Sequence, residues 1–255
     1  MEKSVEKLIT VVIPTYKRQE TLKRTLGSLR SADMKSLDII VIDDDPQMSA
    51  ATIVQQFGEG RYFAKRGLQR GLSVSRNIGI NLSLGKYIVF IDDDDYFYPG
   101  AMDTYMAAMH PKKSFYYADF TYLRTNGEAQ VDQSGVINHK LMVGNTIPVG
   151  SFMIEKASIV SQFDTMMRSH EDWEFLLKNV RWENSKYIPQ KVVVIDKTEM
   201  GEDSMQIRKK DMFWLDYLSV YSKHPSSELA ESRAQMLANY GINIPSELLK
   251  FDSNH

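Results

Sequence analysis

Tyr87-Ile88-Val89-Phe90-Ile91-Asp92-Asp93-Asp94-Asp95 is a short apolar run that ends in consecutive carboxylates. So brief and so apolar a segment reads as a buried strand rather than a helix. The same pattern lies upstream. Asp38-Ile39-Ile40-Val41-Ile42 passes into Asp43-Asp44-Asp45-Pro46, and Leu8-Ile9-Thr10-Val11-Val12-Ile13 is an apolar strand that Pro14 stops. Helical patterns separate these runs. Leu22, Leu26 and Leu29 repeat at helical spacing, a helix fits residues 49–57, and Val74, Ile78 and Leu82 form a further stripe closed by Gly85. Residues 61–64 read as a short third strand, and Pro99 suits the first turn of a helix that turns Met102, Met106 and Met109 inward. Strands alternating with helices predict an α/β fold with a mostly parallel central sheet and helices on both faces. Right-handed crossovers then place all the strand C-termini on one edge. Ligands bind at that edge, where the strand order reverses.

The second half is less regular. Residues 114–123 are aromatic and strand-like, Asn126-Gly127 is a turn signal, and residues 149–154 and 191–195 read as further strands. Residues 171–180 read as a helix that Ser169 is able to cap. From 211 to 250 the pattern is helical, broken at Pro225 and at 241–245. The simplest organisation is one domain over 1–210, in two halves (1–100 and 101–210), with a helical extension over 211–255 packed on it.

Composition narrows the function classes. Across 255 residues, Lys plus Arg total 31 against 33 for Asp plus Glu, so the net charge of −2 gives no basic footprint for nucleic acid. With no cysteine, disulfides, thiolate metal sites and cysteine nucleophiles are excluded. The apolar run at 8–13 is too short for a signal-peptide core, and no stretch approaches the roughly 20 apolar residues of a membrane span. The expectation is a cytoplasmic protein, with contact to the inner membrane face at most peripheral.

Two acid runs directly after two buried strands carry the chemistry. If the strands are parallel, both runs share one edge. Carboxylates packed that closely raise each other's pKa unless a cation is present. An all-oxygen set suits Mg²⁺ or Mn²⁺ rather than zinc, and such ions commonly bridge phosphate oxygens. The bland alternative is a solvated acidic loop, since aspartate favours turns and helix N-termini.

Taken together, these segments resemble family 2 glycosyltransferases of the GT-A fold. Val11-Val12-Ile13-Pro14-Thr15-Tyr16-Lys17-Arg18 looks like the family's first strand and nucleotide loop, and Val41-Ile42-Asp43-Asp44 like its second strand with the acid that reads the base. Gly71-Leu72-Ser73-Val74-Ser75-Arg76-Asn77-Ile78-Gly79 resembles the Ala-Arg-Asn-x-Gly stretch, with Ser75 replacing the usual alanine. Phe90 to Asp95 is similar to the DxD segment, and His170-Glu171-Asp172-Trp173 to the later Glu-Asp motif.

The resemblance implies roles, with 1–100 as the nucleotide-binding half and 101–210 as the acceptor-binding half. Pro14, Thr15 and Tyr16 would form the nucleoside loop, Asp44 would accept from the base, and Arg76 would sit beside the base or phosphates. Asp92 and Asp94 would form the metal pair, Asp94 binding the ion directly and Asp92 supporting it or contacting the ribose. Asp93 would lie near the nucleotide, and Asp95 would cap the turn before Pro99. Asp172 would be the general base of an inverting transfer, with Trp173 lining the acceptor site or packing. The implied cofactor is Mn²⁺ or Mg²⁺. The implied partners are a nucleotide-sugar donor, UDP-linked by preference, and a saccharide or lipid-linked saccharide acceptor in surface-glycan assembly. One departure stands out: no histidine falls between His170 and His224 to serve as a further metal ligand. A closing loop over 200–204, with the basic cluster Arg208-Lys209-Lys210, is a weaker expectation. The rival readings are a Mg²⁺-dependent phosphohydrolase and a non-catalytic nucleotide-sugar binding module.

Overall fold

The apolar runs build the centre of a nine-stranded sheet. The structure is a computed structural model, and it describes residues 7–136, 139–167, 169–198 and 213–250. The strands are β1 (Ile9–Thr15), β2 (Leu37–Asp43), β3 (Gly60–Ala64), β4 (Tyr87–Phe90), β5 (Tyr96–Phe97), β6 (Phe115–Arg124), β7 (Gly127–Val131), β8 (Phe152–Glu155) and β9 (Ser185–Asp196). Their order is β3-β2-β1-β4-β8-β6-β9-β5, with β7 paired to β6. β3, β2, β1 and β4 are mutually parallel. β8 is antiparallel to both β4 and β6, which turns β6 and its parallel partner β9 back into the common direction.

Among the described residues the helices are α1 (Gln19–Ser28), α2 (Ala51–Phe57), α3 (Leu72–Leu82), α4 (Ala101–Ala108), α5 (His139–Val143), α6 (Glu171–Asn179), α7 (Phe213–Lys223) and α8 (Ala230–Ala238). The two-residue period of a strand sends alternate side chains to opposite faces. Val11, Ile13, Ile39 and Val41 join Leu22, Leu26, Val54 and Met102 on one face. Val12, Ile40, Ile42 and Phe90 join Ile80, Trp173, Phe175 and Leu176 on the other. Tyr217, Val220, Tyr221 and Leu237 from the C-terminal helices belong to that second cluster, with Trp214 and Leu218 packed against it.

Several local expectations need correction. Pro14 does not stop β1, which continues to Thr15. β1 pairs with β4 only as far as Val12 opposite Phe90, and the Val12 carbonyl accepts from Ile91 N at 3.1 Å. Pro14 shares the backbone direction of Val12, so its missing N–H falls beyond the end of β4 and breaks no ladder bond. In α3 the fully buried positions are Ser73, Ser75, Arg76, Gly79 and Ile80, with Val74, Ile78 and Leu82 on the flank. The helix lies too close to β1 for larger residues there: a Cβ on Gly79 would stand 2.2 Å from Val12 Cγ1. Ser169 does not cap α6; the N-cap is His170 at φ 59°, and the Ser169 hydroxyl donates to Asp216 on α7 instead. Pro99 precedes the N-cap Gly100 of α4 rather than occupying its first turn.

Gly85 marks another close approach. A Cβ there would meet Thr10 N at 2.5 Å and Ile9 C at 2.6 Å, both backbone atoms. Backbone cannot yield as a side-chain end can. Gly85→Ala is therefore expected to cost about 3 kcal/mol, read as a lower urea midpoint.

Candidate active site

The chain runs outward from β1 through β2 to β3 and then returns to β4 on the other flank of β1. That reversal opens a crevice at the C-terminal ends of β1 and β4. The loops after these two strands meet there. Thr15 Oγ1 donates to Asp93 Oδ2 at 2.7 Å, and Arg18 reaches Asp93 at 3.2 Å and Asp94 at 2.6 Å. Thr25 of α1 donates to the carbonyls of Asp93 and Asp95 at 3.1 and 2.6 Å, which fixes the backbone of the acidic loop.

Carboxylate oxygens of Asp92, Asp94 and Asp95 lie within 4.8 Å of one another. Burial, then the charge of Asp92, raises the pKa of Asp94. Asp95 is pushed well above the usual carboxylate range by burial, with Asp92 and Asp94 adding to the effect. Lys197, just past β9, opposes this, and its own pKa is raised by Asp95, Asp94 and Asp92 against the cost of burial. An all-oxygen set under mutual repulsion fits Mg²⁺ or Mn²⁺, which would relieve the repulsion that protonation otherwise relieves. Asp95 differs from its expected role. It accepts from Asp196 N at 2.9 Å, tying the loop to β9, and it belongs to the carboxylate group instead of capping a turn.

Asp93 is buried and lifted to about 7, by desolvation first, with Asp94 and Asp92 adding and Thr15 and Arg18 opposing. A folded-state pKa above the unfolded value near 3.9 means that the native protein binds the extra proton between those values. Stability of the metal-free protein is thus expected to fall as pH rises from about 4 to 7, by at most about 1.4 kcal/mol per unit from this group. Urea midpoints in EDTA check this, and Asp93→Asn should flatten the slope.

Arg76 ties the acidic loop to α6. Its side chain is 2% exposed, and it donates to Asp92 Oδ1 and Glu171 Oε1, each at 2.7 Å. Burial works against its charge, but Asp92, Glu171 and Asp172 together raise its pKa. It is no surface arginine. Its neighbour Asn77 is a brace: its amide exchanges hydrogen bonds of 2.9 Å with both the N–H and the carbonyl of Phe163.

Asp172 sits at the start of α6. Its Oδ1 accepts from Trp173 N at 2.8 Å and its Oδ2 from Asn145 Nδ2 at 2.9 Å. Trp173 itself is fully buried and donates its indole N–H to the Leu141 carbonyl, so it packs and does not line a surface.

On the other side of β1, Asp44 accepts from Gly71 N at 2.9 Å and pairs with Lys65 at 3.1 Å. Asp43 is buried and holds the loop's backbone, accepting from Asp45 N and Ala50 N and from the Tyr62 hydroxyl. Tyr16 is exposed, with the Arg70 guanidinium 4.6 Å from its ring centroid. Pro14 is buried within β1. Thr15, Arg18, Arg76, Asp92, Asp93 and Asp94 are thus joined by direct contacts, Asp172 adjoins them through Glu171 and Arg76, and Tyr16 and Asp44 form the flank beside β2. Lys65, Lys197 and Asn145 had no signal in the sequence, because their partners lie far away along the chain. The basic cluster at 208–210 and the loop at 200–204 lie outside the described residues.

A doubly wound sheet with an acidic loop at its switch point is an α/β architecture whose ligand crevice lies at the strand C-termini. Residues 10–168 match the family model for glycosyl transferase family 2, and the chain belongs to that family. It is 25% identical over 189 residues to the GalNAc(5)-diNAcBac-PP-undecaprenol β-1,3-glucosyltransferase of Campylobacter jejuni, covering 70% of this chain and 56% of that protein. The chain therefore spans little more than half the length of this relative. Among solved structures, Staphylococcus aureus TarS in complex with UDP-GlcNAc superposes with a TM-score of 0.71 at 15% identity, over 92% of this chain and 73% of that one. The Pyrobaculum calidifontis mannosyltransferase PcManGT with GDP-Man and Mn²⁺ superposes with a TM-score of 0.65 at 13% identity, over 94% and 77%. These likenesses establish the GT-A fold that the sequence leads one to expect. No helix among the described residues is long and apolar enough to cross a membrane.

Proposed function

We propose that this chain transfers a sugar from a nucleoside-diphosphate donor to an acceptor hydroxyl with inversion, in the assembly of a surface or lipid-linked glycan. The observation that carries the reading is that the β1 loop, the acidic loop after β4 and the start of α6 meet at one sheet edge, linked by Arg76. Tyr16 and Asp44 flank the crevice where a base would lie, with Asp44 as hydrogen-bond acceptor. Asp92, Asp94 and Asp95 would hold Mn²⁺ or Mg²⁺. Bound there, the ion would neutralise the charge that builds on the departing diphosphate. With no histidine joining the carboxylate group among the described residues, water or the diphosphate itself would complete the ion's shell, and Lys197 adds fixed positive charge beside it.

Asp172 would remove the acceptor proton. As the acceptor oxygen attacks the anomeric carbon, the bond to the diphosphate breaks and its electron pair leaves with the diphosphate. The hydroxyl proton passes to the Asp172 carboxylate. Each of its oxygens accepts one hydrogen bond, which leaves lone pairs for that proton.

UDP is the favoured nucleotide. The TarS likeness, solved with UDP-GlcNAc, supports it, and PcManGT, solved with GDP-Man and Mn²⁺, keeps GDP in the test. The C. jejuni relative, named for an undecaprenol-linked substrate, supports a lipid-linked acceptor. The test is release of free nucleoside diphosphate from UDP-glucose, UDP-GlcNAc and GDP-mannose in the presence of Mn²⁺. UDP release from one UDP-sugar is expected. Phosphate release from simple phosphate esters, without nucleotide release, would establish the phosphohydrolase alternative instead. Nucleotide binding without turnover would make the chain a binding module.

A further inference from the structure

Among the described residues Asn145 makes a single side-chain hydrogen bond, and it goes to Asp172: Nδ2 donates to Oδ2 at 2.9 Å. The amide is thus aimed at one carboxylate. Turning the amide over would set its oxygen against a carboxylate oxygen, so the orientation follows from the partner.

The segment that presents Asn145 is unusually well held. It follows α5, whose last carbonyls have no partner within so short a helix. Three fully buried side chains from three other elements supply the partners. Trp173 of α6 donates its indole N–H to Leu141 O at 2.6 Å, and Tyr221 of α7 donates its hydroxyl to Val143 O at 2.6 Å. Arg233 of α8 donates to Met142 O at 3.2 and 3.3 Å and to His224 O at 2.8 Å. Arg233 carries a charge with no carboxylate among its described hydrogen-bond or ion-pair partners, and burial lowers its pKa. The C-terminal helices therefore clamp the turn that carries Asn145.

We propose that Asn145 is a positioning residue for Asp172, held in place by the C-terminal helices, and that its amide fixes the direction of the Asp172 carboxylate. The proposal rests on the reading of Asp172 as the base.

The experiment compares the parent chain with Asn145→Leu, which keeps the volume, and Asn145→Ala. Steady-state sugar transfer from the best UDP-sugar, alongside UDP titrations with Mn²⁺, separates kcat from donor affinity. Loss of the amide should lower kcat by about tenfold or more through misdirection of the carboxylate. The thermal midpoint and the affinity for UDP with Mn²⁺ should stay unchanged in Asn145→Leu. An unchanged kcat in both variants would overturn the proposal, as would a fall in thermal stability of the size of a core deletion. The reading of Asp172 as base fails separately, if Asp172→Asn releases UDP from UDP-sugars as fast as the parent.

Discussion

Asp172→Asn is expected to lower sugar transfer by about 10²–10⁴-fold, the usual share of a positioned general base, while UDP affinity stays the same. The substitution keeps shape and removes the proton acceptor. Asn145 Nδ2 and Trp173 N, which now donate to the two carboxylate oxygens, would still find one amide oxygen to bind. The loss should therefore appear in kcat rather than in donor affinity. Steady-state rates with the best UDP-sugar, alongside UDP titrations, separate the two. A comparable loss of UDP affinity would mean that Asp172 serves the donor rather than the acceptor.

The second large effect is on Arg76. Arg76→Met leaves Glu171, which is 7% exposed, and Asp92 without their shared cation. Removing one partner of a buried ion pair costs about 3–5 kcal/mol, because the other charge stays buried. Burial already raises the pKa of Glu171 while Arg76 lowers it. Without Arg76 that pKa rises further, so the native state takes up a proton more readily than the unfolded chain does. The loss should thus be largest near pH 8 and shrink as pH falls and Glu171 becomes neutral. Arg76→Lys should recover little, since one ammonium cannot span both carboxylates as the guanidinium fork does. Urea unfolding at pH 5 and pH 8 checks the sign, and transfer should fall with stability, because the arginine links the acidic loop to the helix that bears Asp172.

What was legible in the sequence follows from how each feature is specified. β1, β2 and β4 are buried on both faces, so they appear as apolar runs, and the acids after β2 and β4 mark the candidate edge directly. Arg76 and Asp172 were found through motif resemblance. Periodicity alone put Val74, Ile78 and Leu82 on the inner face of α3, whereas a close approach between Gly79 and Val12 turns the small residues inward. Likewise β8 could be found as a strand from its apolar residues, but its antiparallel direction depends on its neighbours β4 and β6. Lys65, Lys197 and Asn145 gain meaning only from groups brought beside them by folding. Asn145 and Asp172 are 27 positions apart. Nothing near any of the three in the chain distinguishes it from an ordinary loop or surface residue. Arg18 lies in the stretch that resembles the nucleotide loop, but its pairing with Asp94, 76 positions away, shows only in the fold.

The most direct test of the central claim, that the acidic loop after β4 holds a nucleoside diphosphate through a divalent ion, is calorimetric titration of UDP into the parent and Asp94→Ala proteins, with Mn²⁺ and with EDTA. UDP should bind the parent at least about tenfold more tightly with Mn²⁺, a difference of about 1.4 kcal/mol. Asp94→Ala should lose that gain while keeping its metal-free affinity. Equal UDP affinity with and without Mn²⁺ in the parent would contradict the claim.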